Sequence, residues 1–351
     1  MTRAPTALLC LLCAAGATGC ADGTYALDAG VDASHAPSDV GTLDGSQPSA
    51  DADVGDAGRD EGAAHGPEQG TDGGPNDLDV ADGGLDVGAS APDLGPEPTL
   101  PEGTVTPLPP ALRTEVEMIL PAAHAFLLSQ GDVDPIAHFA GDLLARRFAV
   151  AGFEQALARF DQATTTAPGP IASIMRLLRR VFDFDSPLVP GDLESLDALT
   201  DRVTMPALQC DRAEWPADYD ARLQAAEAQG DYGTTHVALA FVWASDHGCS
   251  FPLSAWRWVA VVDALVDIVA PAVATDLALE AAALLHYLGQ GFRVPDALVR
   301  ATLDAQQADG GWDWTPGGGE ASNWHSTGLA LWYLHERLGD PTFDTMSAGP
   351  R

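Results

Sequence analysis

Residues 21–100 carry 18 Asp or Glu against a single Arg, Arg59, and almost no large apolar side chain. Stretches such as DADVGDAGRDEG and TDGGPNDLDVADGGLDVG are built from Asp, Gly and Ala with scattered Pro and Ser. Such a segment cannot bury enough apolar surface to offset the entropy of ordering its backbone, roughly 1–2 kcal/mol per residue. It is expected to stay disordered, an acidic tether over 20–110 that closes with the Pro-rich spacer PEGTVTPLPP. The foldable part of the 351-residue chain is therefore 111–351, long enough for one substantial core.

The formal charge of −34 divides into +1 over residues 1–20, −17 over 21–100 and −18 over the remainder. All 17 basic side chains are Arg. A chain this acidic repels phosphate backbones and anionic bilayer surfaces, so nucleic acid is a poor partner and membrane contact needs another source. The N-terminus offers one. Arg3 precedes an apolar run over 7–15, too short to span a bilayer and proportioned like a secretory signal. The run ends in Ala17, Thr18, Gly19 and Cys20, which resembles the lipobox of bacterial lipoproteins. That resemblance implies a signal peptide over 1–19, a lipidated Cys20 as the mature N-terminus, and stable membrane anchoring through its acyl chains. Ala21, rather than Asp, after the lipidated Cys implies the outer membrane. Cys10 and Cys13 would leave with the signal, so Cys210 and Cys249 remain in an oxidising compartment. One disulfide is expected there, with two buried free thiols as the alternative.

Past the spacer, Thr114 and Glu117 read as a capping box opening a helix through about residue 129. Apolar residues then recur at three and four, never at two, near 135–162, 170–182, 191–204, 217–229, 235–247, 252–269, 276–288, 295–307 and 325–338. The expectation is an all-α domain of about ten helices.

Three of these helices repeat a pattern. The copies open at Thr235, Asp276 and Ser326 and close at Gly248, Gly289 and Gly339, and a proline, Pro252 or Pro295, opens the helix between neighbours. The unit is a helical hairpin whose Ala-rich member is apolar enough to be the inner, buried one. Leu303, Gln307, Gly310 and Trp312, preceded by Arg300 and Ala301, resemble the QW repeat of squalene and oxidosqualene cyclases, and the DGGW turn is similar to that of protein prenyltransferase β subunits. The resemblance implies an α/α toroid, with Gln307 bonding backbone at a helix end and Trp312 packing over the turn.

In such a toroid the inner helices run parallel, so their N-termini share one mouth. The resemblance thus places His236, Glu280, Trp324 and His325 near one rim with Trp312 and Trp314, a pocket of convergent titratable groups and aromatic rings. The family's zinc site is matched only by His325; Asp231, His236 and His325 form a chemically allowable set that lacks the family's Cys. The cyclase acid Asp-x-Asp-Asp has only Asp183 and Asp185 as a partial counterpart, read as a helix end. No phosphate loop, nucleophile elbow or Cys-x-x-Cys occurs, so no cofactor is implied. Three functions are expected, in this order: a non-catalytic module binding an envelope protein or glycan; a glycan hydrolase or lyase on the same scaffold; a terpenoid or zinc-dependent prenyl-transfer enzyme.

Overall fold

The computed structural model describes residues 97–131, 133–315 and 321–339. The signal, Cys20 and the acidic segment up to residue 96 lie outside the described residues. The described part contains eleven α-helices and no strand: α1 (Pro110–Gln130), α2 (Ala137–Phe148), α3 (Ala156–Thr164), α4 (Gly169–Phe182), α5 (Leu199–Thr204), α6 (Tyr219–Gln229), α7 (Asp231–Asp246), α8 (Ala255–Val269), α9 (Asp276–Tyr287), α10 (Asp296–Ala305) and α11 (Trp324–Leu338). Short 3₁₀ turns cover Leu193–Ser195, Met205–Leu208 and Gly291–Arg293. None of these helices is long and apolar enough to cross a membrane.

The helical periods are where the sequence places them, but several ends differ. Helix α1 starts at Pro110, because a proline at the first helical position forfeits no hydrogen bond. Thr114 is therefore inside the helix, its Oγ1 donating to the Pro110 carbonyl at 3.0 Å, and Glu117 pairs with Arg113 instead of capping. The expected helix over 135–162 is two, broken where Ala149 (φ 55°) and Gly152 (φ 97°) turn left-handed. Only Leu199–Thr204 of the stretch 191–204 is α-helical. The three closing glycines behave as expected, with φ of 73°, 72° and 80° at Gly248, Gly289 and Gly339. The opening residues shift. Caps come from Thr275 Oγ1 and Asn323 Oδ1, which accept from the Ala278 and Ser326 amides, while α7 follows Gly230 with no side-chain cap.

The Pro-rich spacer also departs from expectation. Pro101 accepts from Gln290 Nε2 at 3.2 Å, Gly103 lies flat against the Phe292 ring, and Leu108 is buried. Its prolines pre-organise an extended chain, which lowers the entropic cost of docking it. The ordered unit thus begins before residue 101.

Burial separates two kinds of helix. In α7 every residue from 233 to 244 is buried, and α9 and α11 are nearly as enclosed. Helix α8 buries one stripe only, Trp258, Val261, Val262, Leu265 and Val269. Helix α7 packs on α9, α9 on α11, and α11 on both α1 and α2; α2 packs on α3, α3 on α4, and the turn Met205–Leu208 lies between α4 and α7. The expected disulfide is present: Cys210, just after that turn, bonds Cys249, just after the end of α7, with Cα atoms 6.1 Å apart.

Candidate functional site at the start of three buried helices

Asp276 is the focus. It is the first residue of α9, almost fully buried, and it draws donors from both neighbouring helices. Tyr232 of α7 donates its hydroxyl to Oδ2 at 2.8 Å. His325 Nδ1 of α11 lies 2.9 Å from Oδ1, and Ser326 Oγ donates to the same oxygen at 2.5 Å. One turn deeper on α7 and α9 come His236 and Glu280, both buried, since residues four apart share a helix face. His236 Nδ1 reaches the Tyr232 carbonyl at 2.6 Å, a bond that orients the ring from within its own helix.

The aromatic rim is built by the turn between α10 and α11. Trp314 stacks on His325 with centroids 5.1 Å apart, and Trp324 meets the same ring edge-on at 5.6 Å. The Trp314 carbonyl accepts from the Asp276 amide at 3.2 Å, fastening the turn to α9. Trp324 Nε1 donates to Asp134 Oδ2 at 2.8 Å, while Asp134 Oδ1 accepts from the Ile136 amide. Burial pushes the Asp134 carboxyl up, opposed by these two bonds and by nearby His138 and His325.

The sequence-derived residues are thus partly reunited. His236, Glu280, Trp314, Trp324 and His325 lie on the N-terminal parts of α7, α9 and α11 or on the adjoining turn. Trp312 does not belong to the rim. It is 1% exposed, its indole donates to the Thr302 carbonyl at 2.8 Å, its amide donates to Thr327 Oγ1, and its carbonyl accepts from Asn323. In the QW-like motif the Gln307 amide donates to the Gly311 carbonyl, and Gly310 (φ 92°) sits so close to α1 that a Cβ would lie 2.6 Å from the Ala122 carbonyl. The neighbouring Gln306 spans the turn with its side chain, donating to the Gly310 carbonyl at 2.8 Å. Leu303 packs, half-buried, against the core.

The allowable zinc set is not assembled. Asp231 is exposed at the start of α7, and no group of three His, Cys, Asp or Glu side chains among the described residues is arranged to hold a metal ion. Sequence reasoning also misses Asp276, Tyr232, Ser326 and Asp134 as members of the site. Asp276 is legible as the head of a repeat copy, four residues before Glu280, but its role depends on which helices stand beside it.

A second buried polar group lies at the opposite ends of these helices. Arg147 of α2 pairs with Glu336 of α11 at 2.5 Å, Trp332 Nε1 donates to the same carboxylate, and the Arg147 guanidinium lies 4.7 Å from the Tyr287 ring centre. Tyr287 donates to Asp246, whose carboxyl burial pushes up to about 8.

No family model, no curated protein and no solved structure matches this chain.

Proposed function

We propose that this chain is a lipid-anchored protein of the bacterial cell envelope. On this reading an acidic tether holds a toroid-like, non-catalytic binding module away from the outer membrane, and the Asp276–His325 mouth is the binding face. The observation that carries the reading is the convergence on Asp276 of donors from α7 and α11 beneath two half-buried tryptophans. Support for a toroid comes from the run of neighbours that leads from α7 through α9, α11, α2, α3 and α4 and, by way of the turn Met205–Leu208, back to α7, together with the QW-like turn. Support for binding over catalysis comes from Ser326, which donates straight to Asp276, so that no Ser–His–Asp relay is set up. The half-buried Trp314 and Trp324 favour, as a second reading, a glycan-active enzyme on the same scaffold.

Two measurements test this. Cys20→Ser should move the protein from the detergent phase to the aqueous phase; unchanged partitioning, or a mature N-terminus without acyl mass, refutes the anchor. For the mouth, His325→Ala is compared with Gln307→Ala, the latter calibrating a purely structural loss, by melting temperature and by binding to a glycan panel. A His325→Ala protein that melts like wild type and loses a ligand establishes the site. Loss of stability alone, in a protein that binds nothing on the panel, assigns the mouth to the scaffold.

A further inference from the structure

Helix α1 packs on α11, α2 and α10, and its buried stripe is Val116, Leu120, Ala123 and Leu127. Within this apolar seam stands one polar contact, between His124 of α1 and His335 of α11. The two Nε2 atoms are 3.1 Å apart and the rings stack, with Phe148 stacked on His335 and Phe153 edge-on to His124. A glutamine pair or an aliphatic pair would hold such a seam at every pH. Imidazole is the side chain whose ordinary value makes it change charge between pH 5 and 8.

The charged groups on the surrounding elements are engaged elsewhere. On α1, Arg113 pairs with Glu117, and Glu115 pairs with Arg300 of α10; on α2, Arg146 pairs with Asp142, and Arg147 with Glu336 of α11. Arg337 of α11 pairs with Asp296 of α10, and Glu154 accepts from the Gly152 amide. Asp304 and Asp309, on α10 and the turn after it, are exposed. His138 of α2 lies against Gly131, past the end of α1. Asp134, in the same connection, accepts from Trp324; burial raises its carboxyl, so acid favours its buried state and does not loosen α1 there. The first proton taken up by the histidine pair leaves a charged donor facing a neutral acceptor, and the bond survives. The second leaves two cations with no acceptor between them, enclosed by Phe148 and Phe153. Burial accordingly holds both rings below the ordinary imidazole range.

We propose that this pair is an acid-operated latch: double protonation undocks α1 from α11 while the remaining helices stay folded. The other ties of α1 are Arg113 to the Leu338 carbonyl, Gln306 to the Ile119 carbonyl and Arg300 to Glu115. Two have neutral acceptors, and the third has a carboxylate that Arg300 holds below its ordinary range, so none changes charge down to pH 5. Helix α1 is open to solvent along its other face, where Met118 is 66% exposed, so undocking it uncovers one stripe and leaves α7 and α9 enclosed. His247 and His286 are also buried, but they stand against Phe184 and Asp211 and against Tyr333, away from α1.

Native-state hydrogen exchange of the full-length protein, followed by mass spectrometry from pH 6.5 to 5, tests the latch. After correction for the intrinsic exchange rate, the opening constant of 116–127 should rise roughly thirty- to hundredfold per pH unit, the mark of about two protons taken up. At pH 5 it should exceed the constants of 233–244 in α7 and 278–285 in α9 by roughly tenfold or more. The His124→Gln, His335→Gln double variant should lose the rise in α1. Equal opening constants in the three helices at pH 5 overturn the latch, because acid then unfolds the domain as a whole. A rise in α1 of about tenfold or less per pH unit, or one that persists in the folded double variant, also overturns it. The opening constants and their slope are wild-type measurements, so they decide the matter where the double variant does not fold.

Discussion

Gly233 shows how much one hydrogen atom decides in this fold. It lies in the first turn of α7, and a Cβ built there would stand 2.1 Å from the Ala226 carbonyl oxygen of α6. Backbone cannot retreat as a flexible side chain would, so the two helices approach closely only because residue 233 has no side chain. Gly233→Ala should destabilise the protein by about 1–3 kcal/mol, the usual cost of overpacking. Gly169, at the start of α4 with nothing within 4 Å of its Cβ position, is the control. Its replacement by Ala should be neutral or stabilising by up to about 1 kcal/mol. Urea unfolding of both variants checks this, and equal midpoints would remove the close-contact argument. In the sequence this glycine falls between the expected helices 217–229 and 235–247, and nothing there marks it, because the atom it must avoid belongs to another element.

Between elements, the contact with the clearest consequence joins the first helix to the last. His124 of α1 and His335 of α11 meet head to head, Nε2 to Nε2 at 3.1 Å with rings 7° from parallel, and Phe148 and Phe153 pack around them. One imidazole donates and the other accepts, so at least the accepting ring must be neutral, and protonating both breaks the bond. Burial lowers His124 to about 4, and burial together with His124 lowers His335 to about 3. Burial also lowers His247 to about 4 and His286 to about 3. A histidine whose folded pKa is depressed binds its proton more readily when unfolded. Its contribution is therefore complete above the ordinary imidazole range near 6.5 and is lost as pH falls below it. Asp201 and Asp246, raised by burial to about 7 and about 8, act the other way and lose their contribution as pH rises. Unfolding free energy measured from pH 6.5 to 4 should therefore fall less steeply in the His124→Gln, His335→Gln double variant than in wild type, since the aspartate contribution is common to both. Identical slopes would show that the pair is not what acid attacks. The two histidines are 211 residues apart in the chain, and no spacing rule joins them.

Two long-range constraints act on the domain as a whole. The Cys210–Cys249 bridge closes a loop of sequence separation 39, which stabilises by roughly 4 kcal/mol in the chain-entropy description. Reduction, or Cys249→Ser, should lower the urea midpoint accordingly, and an unchanged midpoint would mean that the bridge only decorates a fold already held elsewhere. The docked spacer sets the boundary of the folded unit. Limited proteolysis should release a fragment that starts before Pro101, because the Gln290–Pro101 bond, the Gly103–Phe292 contact and buried Leu108 hold the spacer against the helices. A stable fragment starting after Pro109 would show that the spacer contributes nothing.

The helical class, the disulfide pairing, the closing glycines and the inner character of the Ala-rich helices were all determined by the sequence alone. Each comes from a local or periodic property: apolar spacing of three and four, two cysteines left for one bridge, a residue able to turn left-handed, helices apolar on every face. The boundaries at Pro110 and Ala149 and the docking of the spacer were decided by packing, since caps and breaks are weak preferences that tertiary contacts override. The mouth was half legible. His236, Glu280 and His325 stood out as titratable residues at the heads of repeated helices, whereas Asp276 became its centre only when α7 and α11 were set on either side of α9. Trp312 was drawn into the core and Trp314 left at the rim, though the two are separated by one residue. The reason is physical: a hydrogen bond or a burial is a property of two surfaces, and the chain states only one of them at a time.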